Sequence, residues 1–471
     1  MIASQLEAQV FENLTFEPNA QQQQLIHSLA QFITSPHAES LFLLQGYAGT
    51  GKTSLLGAFV RALTQHRGKV VLLAPTGRAA KVLSAHAQHP AFTIHKKIFR
   101  QRRFSGDMSG YQVNDNLHTD TLFIVDESSM IADRSEVAGF GSESILDDLI
   151  EYVYAGTNCR LLLLGDTAQL PPVGQATSPA LNIENLRRFG LELHSFELTQ
   201  VARQAEQSGI LCNATKLREA IQAGPPYDLP QLTLAGFSDI RPVMGSELIE
   251  EIANAYSRSG LDETLIVTRS NLRANQFNQG VRFQLLYRED ELSAGDLLLV
   301  AKNNYYWSKE IPQLDFIANG DVVEVKRVRR SYEIHGLRFV DCEVLLPDYD
   351  VEVEVRVLLD TLHSQTPALP ADQQQAFFAS VYSDYEDLAT ERGRMQAIKA
   401  DPFFNALQVK YAFAVTCHKA QGGQWKEVFI DMGMINTEHL GLDFYRWLYT
   451  ALTRATERVW LVNIADEFIA P

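Results

Sequence analysis

The sequence predicts an α/β protein of two parallel-sheet units, with a small antiparallel β-barrel inserted into the second. Three observations predict it. First, four short, continuously apolar runs, 41–45 (LFLLQ), 70–75 (VVLLAP), 121–126 (TLFIVD) and 160–166 (RLLLLGD), alternate with helical stretches such as 52–63 and 77–87. Runs of this kind suit strands buried on both faces of a parallel sheet, and the alternation is that of a doubly wound domain whose ligands collect at the carboxyl ends of the strands. Second, strand-like runs recur at 265–269 (LIVTR) and 409–416 (VKYAFAVT), marking another α/β unit. Third, the texture changes from about 296 onwards. The segments GDLLLVAKNNYYW, NGDVVEVKRVRR, YEIHGLRFVDCEVLL and VEVEVRVLL alternate polar and apolar residues between turns, the pattern of a small barrel.

A chain of 471 residues is too long for one ordinary core; at ~100–200 residues per domain it holds two to four units. The expected division is a first unit over 1–195, a second over 196–295 and 405–471, and the barrel over 296–404. The barrel segment includes a Pro-containing linker (363–375) and a helical, mixed-charge extension over 377–400. Within the first unit, 96–121 carries Ser-Gly and Gly-Tyr turn signals between β-formers and reads as an inserted hairpin.

Hydrophobic residues make up 46% and charged residues 21%, an ordinary soluble composition. No apolar run approaches the ~20 residues that span a bilayer, and the first residues lack a signal-peptide core. Cys159, Cys212, Cys342 and Cys417 are scattered without a CxxC pair, which points to a reducing, cytoplasmic setting rather than a disulfide framework or zinc site. The net charge of −16 argues against a polyanion partner, but phosphate contacts depend on local basic surface. Two such clusters occur, Lys96, Lys97, Arg100, Arg102 and Arg103, then Lys326, Arg327, Arg329 and Arg330; each also fits a solvated face.

The strongest local signal is GYAGTGKT, Gly46 to Thr53, between an apolar strand and a helix. It fits G-x-x-x-x-G-K-[ST], in which glycines let backbone N–H groups wrap phosphates at a helix N-terminus. Gly46, Ala48, Gly49, Thr50, Gly51, Lys52, Thr53 and Ser54 are therefore candidate nucleotide contacts, with Lys52 reaching the β- and γ-phosphates and the Thr53 hydroxyl on Mg²⁺. Asp126 and Glu127 end the third apolar run, where Asp126 can hold Mg²⁺ and Glu127 can act as general base towards water. Asp166 and Gln169, in GDTAQLPPVG, are placed to sense the γ-phosphate. An ATPase is the expected chemistry, with ATP and Mg²⁺ as cofactors.

The ordered set GYAGTGKT, APTGRAAK, TIHK, VDESSM, GDTAQLPPVG, LTQVARQ, VTRSN, VTCHKAQGGQW and YTALTRA resembles the motif series of superfamily 1 helicases. It is most similar to the RecD-like and Dda-like (1B) branch, over residues 16–464. The resemblance implies two RecA-like P-loop domains with ATP between them, a small β-hairpin insertion in the first and an SH3-like β-barrel insertion in the second. It further implies Arg203 and Arg454 as arginine fingers and Gln22 as an adenine reader, with neighbouring Gln21 as the other register. Gly422 and Gln424 would lie where the second domain meets the nucleotide.

The same resemblance implies strand contacts from Pro75, Thr76, Gly77 and Arg78, from Thr93 and His95, from Thr268, Ser270 and Asn271, and from Thr416, His418 and Lys419. Hydroxyls, amides and a few cations suit phosphate tracking without base readout. Tyr305, Tyr306 and Trp307 would stack on bases or fill the barrel core. The hairpin, with five cations and then Phe104 before a turn, would act as a wedge. Single-stranded DNA and duplex junctions are the expected partners, with no membrane. The expected activity is 5′→3′ translocation and unwinding; the alternatives are an RNA or protein-stripping motor, and a nucleotide-switched binding subunit.

Overall fold

The computed structural model describes residues 2–37, 39–101, 111–133, 144–200, 207–309, 311, 314, 316–366, 368–433, 435 and 440–471. In the first domain the strands are β1 (Ser40–Gly46), β2 (Lys69–Ala74), β3 (Ala91–Thr93), β4 (Phe99–Gln101), β5 (Tyr111–Val113), β6 (Thr121–Val125), β7 (Arg160–Gly165) and β8 (Glu192–Leu198). Six of these form one parallel sheet in the order β3-β2-β6-β7-β1-β8. Every residue of β6 is buried, because helices cover both faces and leave no side of the strand for polar groups. Helices Ala3–Asn13, Ala20–Thr34 and Lys52–Gln65 pack on one face through Leu6, Leu25, Leu29, Leu55 and Phe59. Helix Ile145–Ala155 packs on the other through Leu146, Leu149 and Val153.

β8 pairs with β1 as far as Leu198, so the first sheet extends past the 195/196 boundary read from the sequence. Its sequence, ELHSFEL, alternates in burial as an edge strand does, and carries no continuous apolar run. The insertion begins with a short helix, Ile94–Ile98, followed by the antiparallel pair β4 and β5, registered Phe99 to Val113 and Gln101 to Tyr111. Arg102, Arg103 and Phe104, expected at the wedge, lie outside the described residues.

The remaining strands are β9 (Ile240–Val243), β10 (Thr264–Thr268), β11 (Leu297–Val300), β12 (Val322–Ile334), β13 (Leu337–Leu346), β14 (Val351–Leu358), β15 (Leu407–Tyr411), β16 (Ala414–Thr416), β17 (Trp425–Asp431) and β18 (Ala455–Val462). A second parallel sheet runs β16-β10-β17-β18-β9, and β11 to β15 close a barrel. The molecule thus has two parallel-sheet α/β domains and a small closed barrel. The run 409–416, expected as one strand, belongs to two bodies. β15, buried at alternate positions, closes the barrel against β11 and β14, and β16 joins β10. Helices Ala371–Ser383 and Glu391–Ala400 cover one end of the barrel through Phe377, Val381 and Ile398, against Leu337 and Phe339. The first of them starts inside the expected linker. Asp296, fully buried where the barrel begins, is held by Arg282 at 2.9 and 3.0 Å and by Arg288 at 2.6 Å, which fixes the barrel to the second domain.

Glu427 on β17 is 1% exposed and accepts bonds from Arg258 (2.7 and 2.6 Å), Ser259 (2.7 Å) and Trp460 (3.0 Å). Burial alone would raise its carboxyl, but the hydrogen bonds from Arg258, Trp460 and Ser259 outweigh it and hold the group at about 2. A pKa depressed on folding stabilises the protein above the unfolded value of 4.5 and loses that contribution as pH falls towards 2. Glu427→Gln should therefore lower stability at pH 7 by about 3 kcal/mol. Urea unfolding should show the gap between variant and wild type narrowing as pH is taken from 5 down to about 3.

Candidate nucleotide cleft and strand-binding face

The P-loop leaves β1 at Gly46 and turns through Gly49 and Gly51, whose φ values of 76° and 81° lie in the left-handed region that glycine tolerates. A Cβ on Gly51 would also stand 2.8 Å from Gln22 Nε2. Gln22 is 2% exposed, closes a capping box with Asn19 and donates to Thr50 O at 2.9 Å. Of the two candidate glutamines it is the one on the P-loop; Gln21 bonds instead to Glu197 O and to Thr199. Lys52 Nζ donates to Tyr47 O at 2.8 Å, and the Thr50 hydroxyl donates to the same carbonyl.

A cleft of 350 Å³ opens in front of this loop, lined by Ala48, Gly49, Gly51, Lys52, Thr53, Ser54, Asp126, Glu127, Asp166 and Gln169 from the first domain, and by Gln424 and Arg454 from the second. Glu127 has φ 51°, a strained conformation for a side-chain-bearing residue that costs roughly 1 kcal/mol or more and aims its carboxylate off the strand end. Its N–H donates to Asp126 Oδ1 at 2.8 Å. Burial, then the charge of Glu127, raises Asp126 to about 6, with Lys52 acting in the opposite sense. Asp166 is raised mainly by burial, opposed by Lys52 and by a bond from Tyr449. Gln169 is buried with Oε1 unpaired, an acceptor free for water or a hydroxyl group.

Arg454 is 3% exposed, and its guanidinium donates to Thr450 O, Gly423 O and Thr453 Oγ1. Nη1 lies 3.9 Å from Glu127 Oε1, which brings a cation of one domain beside a carboxylate of the other. Arg203 lies outside the described residues. Gly422 is absent from the cleft lining. Its Cβ position would sit 3.1 Å from Thr76 Oγ1 and Ala79 Cβ, so it serves close packing between the domains.

A second cavity, of 510 Å³, lies between both domains and the barrel and brings together Thr76, Arg78, His418, Lys419, Gln424 and the barrel's Asn319. Thr76 and Thr93 cap helices, accepting from Ala79 N and Lys96 N. Gly77 faces the barrel, its Cβ position 2.9 Å from Asp321 Oδ1. Arg78 stacks over Trp425 at 4.1 Å and donates to Gln424 O at 2.7 Å; its guanidinium bridges the domains, where the sequence reading placed it on the strand. His95 packs on Phe99 with a ring separation of 5.6 Å, and burial lowers it to about 4, leaving it neutral at pH 7. Thr268 is fully buried, its hydroxyl donating to Ser270 O at 3.0 Å; it is a support for the loop and not a strand contact. Ser270 caps helix Asn271–Gly280, Thr416 precedes helix Cys417–Ala420, and Lys419 donates to Asn319 Oδ1 at 2.8 Å. Burial also lowers His418. Pro75 is half-buried before the Thr76 cap.

In the barrel, Trp307 donates to Asn405 O at 2.8 Å, and Tyr305 packs on Phe316 and on the first domain's core, so both serve packing. Arg329 pairs with Glu354 and Glu343, and Lys326 with Glu324, which consumes part of the second basic cluster. Sequence reading passed over Tyr449 and Gln421, although both lie inside motifs it quoted. Tyr449 bonds to the P-loop, and Gln421 Nε2 donates to Leu170 O at 2.6 Å. Their spacing from Arg454 and Gly422 was the available signal.

A family model described as an AAA domain matches residues 17–224, and one for the UvrD-like helicase C-terminal domain matches residues 411–462. The ATP-dependent RecD2 DNA helicase of Deinococcus radiodurans is 26% identical, covering 90% of this chain; the chain spans 47% of that protein's length. The ATP-dependent DNA helicase dda of Enterobacteria phage T4 is 22% identical, covering 89% of this chain and 93% of that protein. The crystal structure of the Pif1 helicase from Bacteroides in complex with ADP-AlF3 and ssDNA superposes with a TM-score of 0.48 at 15% identity, covering 97% of this chain and 95% of that one. The two matched domains follow the order of the two sheets, and the P-loop faces Arg454 across one cleft; in this the chain resembles the RecD- and Dda-like helicases.

Proposed function

We propose that this protein hydrolyses Mg-ATP between its two RecA-like domains and uses the cycle to move 5′→3′ along single-stranded DNA, opening duplex ahead of it. The observation that carries the reading is the 3.9 Å approach of Arg454, from the second domain, to Glu127, from the first. Closure of the cleft is then coupled to catalysis, because an arginine reaching the γ-phosphate stabilises transition-state charge only while the domains are together. Lys52 and the P-loop amides hold the phosphates. Thr53 and Asp126 offer hard oxygen ligands that suit Mg²⁺, which neutralises phosphate charge when bound. Glu127 polarises the attacking water and Gln169 Oε1 orients it. Intact Glu127 and Arg454 favour turnover over a nucleotide-switched binding subunit.

The strand would run over Thr76, Gly77, Ser270, Asn271, Thr416 and Lys419, past the hairpin that begins at residue 96. Duplexes with a 5′ single-stranded tail should be opened and those with only a 3′ tail should not. Replacing 102–113 with a short Gly-Ser turn should abolish opening while sparing strand-stimulated ATP turnover. A preference for 3′ tails would reverse the assigned polarity, and unwinding at an unchanged rate in the turn variant would place the wedge elsewhere.

A further inference from the structure

Tyr449 lies on helix Leu442–Leu452, five residues before Arg454, with its ring 1% exposed. The ring packs in a core that joins the domains, with Tyr47, Ala168 and Leu170 of the first and Leu448 and Leu452 of the second. Its hydroxyl accepts from the P-loop amide Ala48 N at 2.9 Å and donates to Asp166 Oδ2 at 2.6 Å. One phenolic oxygen of the second domain thus bridges two nucleotide-site elements of the first. Burial, then the nearby Asp166 charge, pushes the phenol well above its usual range, so it remains a donor at any working pH.

Ala48 N–H belongs to the loop whose amides wrap phosphate oxygens. A single N–H makes one good hydrogen bond, so a phosphate that takes this amide must displace Tyr449 from it. Lys52 is likewise engaged within the loop, on Tyr47 O, and Gln22 holds Thr50 O, so the Ala48 amide is the point at which the second domain's Tyr449 meets the loop. Contacts continue from this point to the strand face. The next residue, Thr450, accepts from Leu170 N at 2.9 Å; Leu170 O accepts from Gln421; and Gly422 lies against Thr76.

We propose that Tyr449 is a positioning residue that reports P-loop occupancy to the second domain, its hydroxyl holding the Ala48 amide until a nucleotide phosphate takes that amide over. The inference rests on the ATPase reading above. When the bridge breaks on the P-loop side, the hydroxyl keeps Asp166. The helix carrying Tyr449, with Arg454 in the turn that follows it, is then released from the loop amide and free to settle against the nucleotide.

The test uses the full chain with 3-fluorotyrosine placed at Tyr449 or, as a control on the same helix, at Tyr445, whose hydroxyl donates to Asp228 O. Titration with the non-hydrolysable analogue AMP-PNP, without DNA, should shift the ¹⁹F resonance at 449 and leave that at 445 nearly unmoved. In parallel, Tyr449→Phe keeps the ring and removes the competing bond, so its affinity for AMP-PNP should rise about two- to ten-fold. A silent 449 resonance at saturation, equal shifts at both positions, or unchanged or weaker affinity in a folded Tyr449→Phe would each overturn the proposal. If that variant does not fold, the two ¹⁹F probes decide the matter in the wild-type background. A wild-type chain that fails to bind AMP-PNP overturns the ATPase reading itself, a result distinguishable from binding with a silent resonance.

Discussion

Glu127→Gln should bind ATP as the wild type does and turn it over roughly 10²–10⁴-fold more slowly, the range expected when a positioned general base is lost. The amide matches the carboxylate in shape, so it can keep the left-handed backbone at this position and the N–H bond to Asp126. What it loses is the proton acceptor. It also removes the charge that helps to raise Asp126 to about 6, so the carboxylate proposed to hold Mg²⁺ becomes easier to ionise and binding should not suffer. Lys52→Ala should behave oppositely, weakening binding itself, because it removes the amine at the phosphates. Equilibrium titration with a fluorescent nucleotide, set beside steady-state turnover, separates the two. A Glu127→Gln variant that hydrolysed ATP at near wild-type rate would move the base to another residue.

Arg454→Lys should cut strand-stimulated turnover by about 10³-fold or more, within the range assigned to arginine fingers. Lysine retains a positive charge and a similarly long aliphatic stem in a site that is 3% exposed, so little space is left unfilled. It cannot reproduce the guanidinium geometry, which donates to Thr450 O, Gly423 O and Thr453 Oγ1 and still presents Nη1 towards Glu127. Binding of single-stranded DNA without nucleotide should be unchanged, while the midpoint of thermal unfolding should fall modestly, because buried acceptors lose their donor. Retained stimulation in this variant would remove the cation that links cleft closure to chemistry.

Legibility in the sequence followed local chemistry. β1, β2, β6 and β7 were visible because burial on both faces demands continuous apolar runs. β8 was not, since an edge strand alternates and can carry His194, Ser195 and Glu197. At 409–416 the period-2 pattern of a barrel strand runs into the continuous apolar pattern of a sheet strand with only Ala412 and Phe413 between them, and the join is hidden. The nucleotide residues were read from motif and context, because their geometry is set within a few residues by glycine φ values and helix N-termini. The strand-face residues were harder. Whether Thr268 faces the strand or the core, and whether Arg78 reaches a phosphate or stacks on Trp425, depends on partners that are distant in sequence. Tyr449 is the extreme case, its partners Ala48 and Asp166 lying hundreds of residues earlier.

The central claim is that ATP hydrolysis between these domains is coupled to a nucleic-acid strand. The most direct measurement is steady-state ATP turnover by the full-length chain with and without single-stranded DNA, with Lys52→Ala as the blank. Turnover should rise by at least an order of magnitude when the strand is added and vanish in the blank. Turnover that ignored the strand, or strand binding with no turnover at all, would contradict the motor and leave a nucleotide-switched binding protein in its place.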